Sequence, residues 1–378
     1  MVSRSAPYAN NTVDPRRAAR SPPQAAVRRV SASNQRPVDI TPRILAAPGA
    51  GREIDAVLRH LFTRFAVGVA VVAGVVVLTF LLLHAAPGNP VDYLLGPTAT
   101  PGQITAAQHS LGLDRPLPAQ FTAWLARFAT GDWGTSIATG RPVRDLIATA
   151  WPETAWLVGL SLLLSCGLGV IVGAAQAARP GSRTDAVLSI GTVTLYAVPG
   201  YWLGLMLIML GTYQLKLFPA FGAAGYDADF LSPLDQLLDR ARHLALPLLT
   251  LTLIGIGGMA RFARGAMVDV RGEAFITTAR AKGLPPARVR RHILRNALIP
   301  VVTLLGLSLP ALFSGAVFIE AVFAWPGVGR VLVEAVQARD YPVVMAATAI
   351  SAALVVLGNL LADLAVAALD PRLKKQAT

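Results

Sequence analysis

The chain has 378 residues, of which 54% are hydrophobic and only 15% are charged. Soluble domains carry about 25% charged residues, so this composition favours a membrane protein. One cysteine, Cys166, excludes a disulfide framework and a cysteine-rich metal site. The net charge of +13 would suit nucleic acid, but basic residues also gather at the cytoplasmic ends of membrane helices. We therefore predict an all-α polytopic membrane protein with no nucleic-acid partner, metal or cofactor.

The first 55 residues form a separate compositional region. Ala, Arg, Pro and Ser dominate it, its last proline is Pro48, and no apolar face repeats. Such a segment does not bury enough apolar surface to fold. We predict a disordered, basic cytoplasmic tail over 1–55, whose arginines can contact anionic lipid. The transmembrane domain follows over 56–378.

Six charge-free apolar runs follow in chain order, and each approaches the roughly 20 residues that a membrane-spanning helix needs. They predict spans at about 65–83, 154–178, 186–215, 244–260, 296–319 and 341–362. Pro199-Gly200 interrupts the third run, and Gly306 and Pro310 interrupt the fifth. These positions either line a transport path or kink a helix, and ordinary helix packing is the alternative.

The distribution of Lys and Arg predicts the orientation. With both termini in the cytoplasm, the internal segments hold 25 of the 34 basic residues. Cytoplasmic loops carry such an excess, so we predict that the N- and C-termini are both cytoplasmic. A long external region, 84–153, then follows the first span.

The most basic loop lies between the fourth and fifth spans, over 261–295. It holds nine basic residues against Asp269 and Glu273. Good helix formers fill Glu273–Lys282, Gly283 suits a left-handed turn at a helix end, and Pro285-Pro286 suits a new helix start. The loop therefore predicts a hinged pair of helices with an apolar stripe on the first. It needs either a protein partner or, as the alternative, the membrane surface.

The same loop resembles the EAA motif of binding-protein-dependent ABC importer permeases. The resemblance is carried by Glu273-Ala274, by Gly283 ten residues after the Glu, and by Ile299-Pro300. ARAKGL and RNALIPVVT are similar to the dipeptide/oligopeptide/nickel branch in particular. Phe275 replaces the second alanine of the motif. Further similar blocks are LLHAAPGNPV, LGLDRPLPAQF, GDWGTSIATGRPV, VFAWPGVGRVLVEAVQARDYPVV and LDPRL.

The resemblance implies an ABC type I importer permease fold with six spans in a bacterial inner membrane. It implies that the loop docks on a separate ATPase, through Glu273, Ala274, Ala279, Arg280, Lys282, Gly283 and Pro300. It also implies several partners: a sister permease in a heterodimer, two ATPase subunits, an extracytoplasmic solute-binding protein, and a peptide or similar small solute. The chain has no G-x-x-x-x-G-K-[ST] sequence of its own with which to bind ATP.

Two other classes of function are weighed against a permease. An enzyme is disfavoured, because the five histidines are scattered without a catalytic spacing. An ion-coupled secondary transporter or channel would place polar groups inside the membrane, and Asp363 is the one candidate. The substrate stays open among peptide, nickel, glutathione and other solutes.

Overall fold

The computed structural model describes residues 50–369 apart from 88–90, 92–94, 97–98 and 111. Within helices, the side chains of 50–61, 303, 305–307, 309–312, 362–363 and 365–369 are not described. The predicted tail over 1–49 and the predicted side-chain site at Asp363 lie outside the described residues.

The described residues confirm an all-helical protein, with one isolated bridge between Thr135 and Pro142 in place of any sheet. A short 3₁₀ turn, Ala228–Phe230, and a π-helical turn, Met209–Gln214, accompany the helices. The helices are α1 Ala50–Ala85, α2 Pro101–Ser110, α3 Leu117–Ala129, α4 Val143–Ala178, α5 Arg183–Ala197, α6 Gly200–Ile208, α7 Pro233–Gly272, α8 Ala274–Ala281, α9 Pro286–Val322, α10 Val328–Gln337 and α11 Tyr341–Leu369.

Four of the described helices are long and apolar enough to cross a membrane: Phe62–Ala85, α4, α7 and Tyr341–Leu361. They contain the first, second, fourth and sixth predicted spans. The third predicted span is broken, because α5 and the helix after Pro199 form an angle of 101°. The fifth predicted span lies in α9. Among the described side chains of this helix, Phe313–Val322 forms a shorter apolar segment.

Several helices extend beyond the predicted spans into segments predicted as tail, external region or loop. Helix α1 begins at Ala50, so the end of the predicted tail, 50–55, is helical. Helix α4 begins at Val143, inside the predicted external region, and α7 continues to Gly272, inside the predicted basic loop. The charged residues that flank the apolar runs do not end these helices. At 1.5 Å per residue the 40 residues of α7 extend about 60 Å, twice the thickness of the hydrocarbon core.

Helix α7 is the element against which α4, α5, α6 and α9 pack, whereas α1 packs against α11. The most extensive of the α7 contacts is the one with α4. A Cβ atom at Gly173 of α4 would lie 2.7 Å from the Ala260 carbonyl oxygen, and one at Gly257 of α7 would lie 2.8 Å from the Thr192 carbonyl oxygen. Small residues let helix backbones approach in a membrane, where no hydrophobic effect drives helices together.

At the end of the bundle where α4 begins, aromatic rings connect the external segment to the first and last membrane helices. The rings follow one another at centroid distances of 4.1–6.2 Å, which is the range of favourable aromatic pairs. The series joins α3 to both α1 and α11. Its members are Trp133, Phe128, Trp124, Phe121, Phe80, His84 and Tyr341.

Asp340 fixes the same region by hydrogen bonds, although its side chain is buried. One carboxylate oxygen accepts from the Ser136 hydroxyl at 2.5 Å and from the Ala138 amide at 3.1 Å. The other accepts from the Val343 amide at 3.4 Å, in the first turn of α11. Two blocks that are far apart in the sequence, GDWGTSIATGRPV and ARDYPVV, are thus one structural unit.

We predict that Asp340→Asn destabilises the protein by about 2 kcal/mol, because a charged acceptor of buried donors is lost. An amide also places a donor toward groups that donate. The thermal midpoint of the detergent-purified protein should fall, whereas Asp229→Asn, at an exposed aspartate of the second external loop, should leave it unchanged. Equal midpoints for the two variants would contradict the bracing role of Asp340.

Candidate functional site

The basic loop contains a short helix between two fixed ends. Helix α8 follows Glu273, whose φ/ψ of −67°/145° places it outside the helix as the N-cap. At the other end Gly283 has φ +72°, as the sequence predicted. The Gly283 amide donates to the Arg280 carbonyl at 2.9 Å and the Leu284 amide to the Ala279 carbonyl at 3.2 Å. This pair of bonds is a Schellman motif, which needs a left-handed residue at the position of Gly283.

Most of the predicted loop residues lie together on the exposed surface of this element. Glu273, Ala274, Arg280, Lys282 and Gly283 are exposed, and Ala279 is half-buried. The predicted apolar stripe is exposed as well, and its largest member, Phe275, has 46% of its area accessible. The inward-facing side chain is Ile276, which is fully buried. Helix α8 thus presents an apolar and basic surface outward and is anchored by one aliphatic side chain.

Pro300 does not join this surface. It lies within α9, about 20 Å along the helix axis from Pro286 at 1.5 Å per residue. The second helix of the loop continues without a break into the fifth predicted span.

Of the four positions predicted to line a path or to kink a helix, two lie at a break between helices and two lie within a continuous helix. Pro199 lies between α5 and α6, where the chain turns by 101°, and Gly200 begins α6. Helix α9 is helical through positions 306 and 310, so neither Gly306 nor Pro310 interrupts it. The side chain of Pro310 lies outside the described residues.

Three arginines of the basic region hold helices together. Arg271, at the end of α7, donates to the carbonyl oxygens of Ala177 and Ala178 at 3.0 and 2.9 Å, which satisfies the C-terminal end of α4. Arg264 binds both carboxylate oxygens of Asp185 at 2.8 Å. Arg261 stacks on the Tyr196 ring at 5.1 Å.

Asp185 is the centre of a small polar network. Its buried carboxylate also accepts from the Gly181 amide at 2.9 Å and from the Ser189 hydroxyl at 3.2 Å. Its own amide donates to the Ser182 hydroxyl at 3.2 Å, which caps α5. Sequence reasoning missed this site. The Ser182-x-x-Asp185 spacing resembles a capping box and could have located the helix start, but no local pattern pairs Asp185 with Arg264.

The aromatic turn over 323–327, part of the VFAWPGVGR block, packs inside the chain. Phe323 and Trp325 are each 1% exposed, so their rings pack inside the chain. Buried Glu320 accepts from the Gly329 amide at 2.7 Å and so caps the N-terminus of α10. Exposed aromatic residues lie instead in the segment between α6 and α7, where Phe221, Tyr226 and Phe230 are exposed.

Two family models match the chain. Residues 167–375 match the family model of the binding-protein-dependent transport system inner membrane component, and residues 57–158 match the model of its N-terminal part. The chain belongs to this family. It is a permease subunit of an ABC importer and a multi-pass inner membrane protein, and the sequence-based prediction of that family is confirmed.

Individual relatives match over nearly their whole length. The oligopeptide transport system permease protein AppB of Bacillus subtilis is 37% identical over 317 residues, covering 83% of this chain and 99% of the relative. The di/tripeptide transport system permease protein DppB of Pseudomonas aeruginosa is 38% identical, covering 80% and 95%. The glutathione transport system permease protein GsiC of Salmonella choleraesuis is 37% identical, covering 79% and 94%.

One solved structure is similar to the chain at lower identity. A chain of the MetNI methionine ABC transporter, solved in inward-facing conformations, aligns with 19% identity and a TM-score of 0.47. The alignment covers 61% of this chain and 98% of that chain.

Proposed function

We propose that this permease imports di- or oligopeptides and forms half of a translocation pathway with a homologous sister permease. The relatives named for oligopeptides and for di- and tripeptides support the substrate class. Two ATPase subunits would supply the energy, and an extracytoplasmic solute-binding protein would deliver the peptide. Exposed aromatic residues available to such a protein include Phe221, Tyr226 and Phe230.

The observation that carries the proposal is the outward surface of α8. A short helix that is fixed at both ends and exposes Phe275, Arg280 and, at its C-cap, Lys282 is an element suited to a protein groove. We assign the docking role to Glu273, Ala274, Arg280, Lys282 and Gly283. Ala279 acts through its backbone, as the acceptor that closes the Schellman motif. Pro300, the remaining residue of the predicted set, lies within α9, the helix that continues from this loop into the membrane domain.

The neighbours of α8 offer a route for transmission. Helix α8 contacts both α7 and α9, so a rigid-body tilt of α8 acts on two membrane helices. Arg271 connects the end of α7 to the end of α4, and the Arg264–Asp185 pair connects α7 to α5. The ends of four helices thus move together when a partner displaces α8. This is switching by rigid elements about short hinges.

The membrane topology belongs to the same proposal. We infer six spans with both termini cytoplasmic, the bent pair counting as one span and α9 as another. The basic residues around α8 support a cytoplasmic position for it. The transmembrane domain then occupies 56–378, preceded by a tail over 1–55 whose last residues begin α1, and 84–153 faces outward.

The function predicts ATP-driven peptide uptake. Proteoliposomes that contain this chain, its sister permease and the ATPases should accumulate a labelled tripeptide only when ATP is inside and the binding protein outside. A protonophore should leave the uptake unchanged, since no ion gradient is used. Uptake driven by a proton gradient without ATP would instead indicate a secondary transporter. Labelled Ni²⁺ and glutathione, tested in parallel, would decide the solute class.

We predict that Gly283→Asp abolishes uptake while the protein remains inserted and folded. The position is exposed and open, so the change places a bulky negative charge on the docking surface at little cost in packing. Gly140→Asp is the matched control, because Gly140 also has a positive φ and open space but lies in the external region. Normal uptake by Gly283→Asp at normal expression would reject the coupling role.

The topology is tested by labelling single cysteines. Because Cys166 is the one native cysteine, Cys166→Ser gives a background for Arg280→Cys and Arg144→Cys, both at exposed positions. A membrane-impermeant maleimide should label position 144 and not position 280 when it is added to cells whose outer barrier has been removed and whose inner membrane is intact. Inverted vesicles should give the opposite pattern. Labelling of position 280 in intact cells would reverse the proposed orientation.

A further inference from the structure

A cavity of about 440 Å³ lies at the end of the bundle opposite α8. Helix α4 spans the distance between the two, since its first turn packs near α11 and its last carbonyls bind Arg271. The end of α1, the helices α2 and α3, and the start of α11 surround the cavity. Its apolar wall consists of Phe80, Leu83, Ala123, Ile137, Pro342 and Met345.

The charged groups of this cavity have one sign. Arg115 and Arg127 line it and are exposed, and no acidic residue is among its described lining residues. His109 also lines it and lies 3.7 Å from Asp114 at the rim. The described lining therefore offers guanidinium donors and no carboxylate to neutralise them.

His84 lines the cavity and is held in place by Phe80 and Gln120. The Gln120 amide nitrogen donates to the Leu113 and Arg115 carbonyls at 3.1 and 2.8 Å, so its amide oxygen faces His84. The His84 Nε2 atom lies 3.1 Å from that oxygen, and Nδ1 lies 2.8 Å from the Phe80 carbonyl oxygen. Both ring nitrogens therefore lie within hydrogen-bonding distance of oxygen atoms of the chain, which fixes the His84 ring in the wall of the cavity.

Trp124 indicates what is missing from the cavity. Its indole Nε1 atom is buried and has no hydrogen-bond partner among the described residues. An indole nitrogen donates only, and a buried donor without an acceptor costs free energy. The ring itself is held by stacking on Phe128 at 4.9 Å and on Phe121 at 6.2 Å. A ligand with acceptor oxygens would complete this site.

The position of the cavity in the fold indicates which kind of anionic ligand it binds. His84 stands one residue before the end of the membrane helix Phe62–Ala85, and Tyr341 is the first residue of the last one. The Tyr341 hydroxyl donates to the Leu83 carbonyl at 2.8 Å and so joins the two helix ends. A tyrosine at the end of a membrane helix, with a tryptophan nearby, is typical of the membrane–water interface. Exposed Leu78, Leu81 and Leu82 of α1 continue below it toward the membrane core.

We propose that this cavity binds the phosphate headgroup of an anionic phospholipid, in the leaflet on the side away from α8. Arg115 and Arg127 bind the phosphate oxygens, and the Trp124 indole donates to the headgroup. The acyl chains follow the apolar surface of α1. Basic pockets between membrane helices are known to take such headgroups. Binding is measured without transport, so its outcome is independent of the proposed import activity.

The test uses the full-length chain purified with its sister permease in a neutral detergent. Native mass spectrometry measures the binding of dioctanoylphosphatidylglycerol, with dioctanoylphosphatidylcholine and inorganic phosphate as competing probes. The double variant Arg115→Gln/Arg127→Gln should bind phosphatidylglycerol at least tenfold more weakly. Arg141→Gln/Arg144→Gln is the matched control, because it removes two exposed arginines of the same region that do not line the cavity. It should bind like the wild type.

Trp124→Phe tests the indole separately, since it keeps the ring in its stack and removes the N–H. It should weaken phosphatidylglycerol binding severalfold without changing the thermal midpoint. Equal affinity in the cavity and control variants would overturn the site. Equal binding of phosphatidylcholine would overturn the selectivity for an anionic headgroup. Displacement of the lipid by equimolar inorganic phosphate would show that free phosphate, and not a lipid, is the ligand.

Discussion

The close contact of α7 with its neighbours is the constraint on which the rest of this structure depends. In a membrane no difference in water affinity drives one apolar helix onto another, so backbone approach and van der Waals contact must hold the bundle. Gly173 and Gly257 allow that approach, one on each side of α7. Because α7 ends one residue before α8 begins, the same helix that organises the bundle also carries the docking element. The packing of the membrane domain and the position of α8 therefore depend on one another.

Strong polar interactions stand where helices end. Asp340 is at the start of α11, Glu320 caps α10, Asp185 lies in the first turn of α5, and Arg271 satisfies the carbonyl groups that end α4. Helix ends have unpaired backbone groups that need partners, and near the interface a charged side chain can serve them at lower cost than in the hydrocarbon core. These contacts fix the position of each helix along its axis relative to its neighbours. The small residues at the helix–helix contacts fix the distances between the helix axes.

Much of this organisation follows from sequence alone. Long apolar runs locate the membrane helices. The glycine at 283 and the prolines at 285 and 286 define the end of α8 and the start of α9, because glycine accepts a positive φ and proline fixes φ near the helical value. Helix boundaries were less predictable. Neither the arginines after Ala260 nor the residues before Thr154 break a helix, so the loss of apolar character marks the membrane surface and not the helix end. The sequence also does not distinguish Pro199 from Pro310. The chain bends at Pro199, whereas the helix is continuous through position 310.

The polar pairs could not be predicted because each joins residues far apart in the chain. Arg264 and Asp185 are separated by 79 positions, and Ser136 and Asp340 by 204. Their pairing changes how the basic region is understood. Its nine positive charges are a topology signal when counted together, yet Arg261, Arg264 and Arg271 have individual contacts that fasten α7 to α4 and α5. Arg280 and Lys282, by contrast, remain exposed on the same short element as Phe275. Within the basic region, one set of residues is placed to hold the membrane helices and another to meet a partner, and α8 lies where the two sets adjoin.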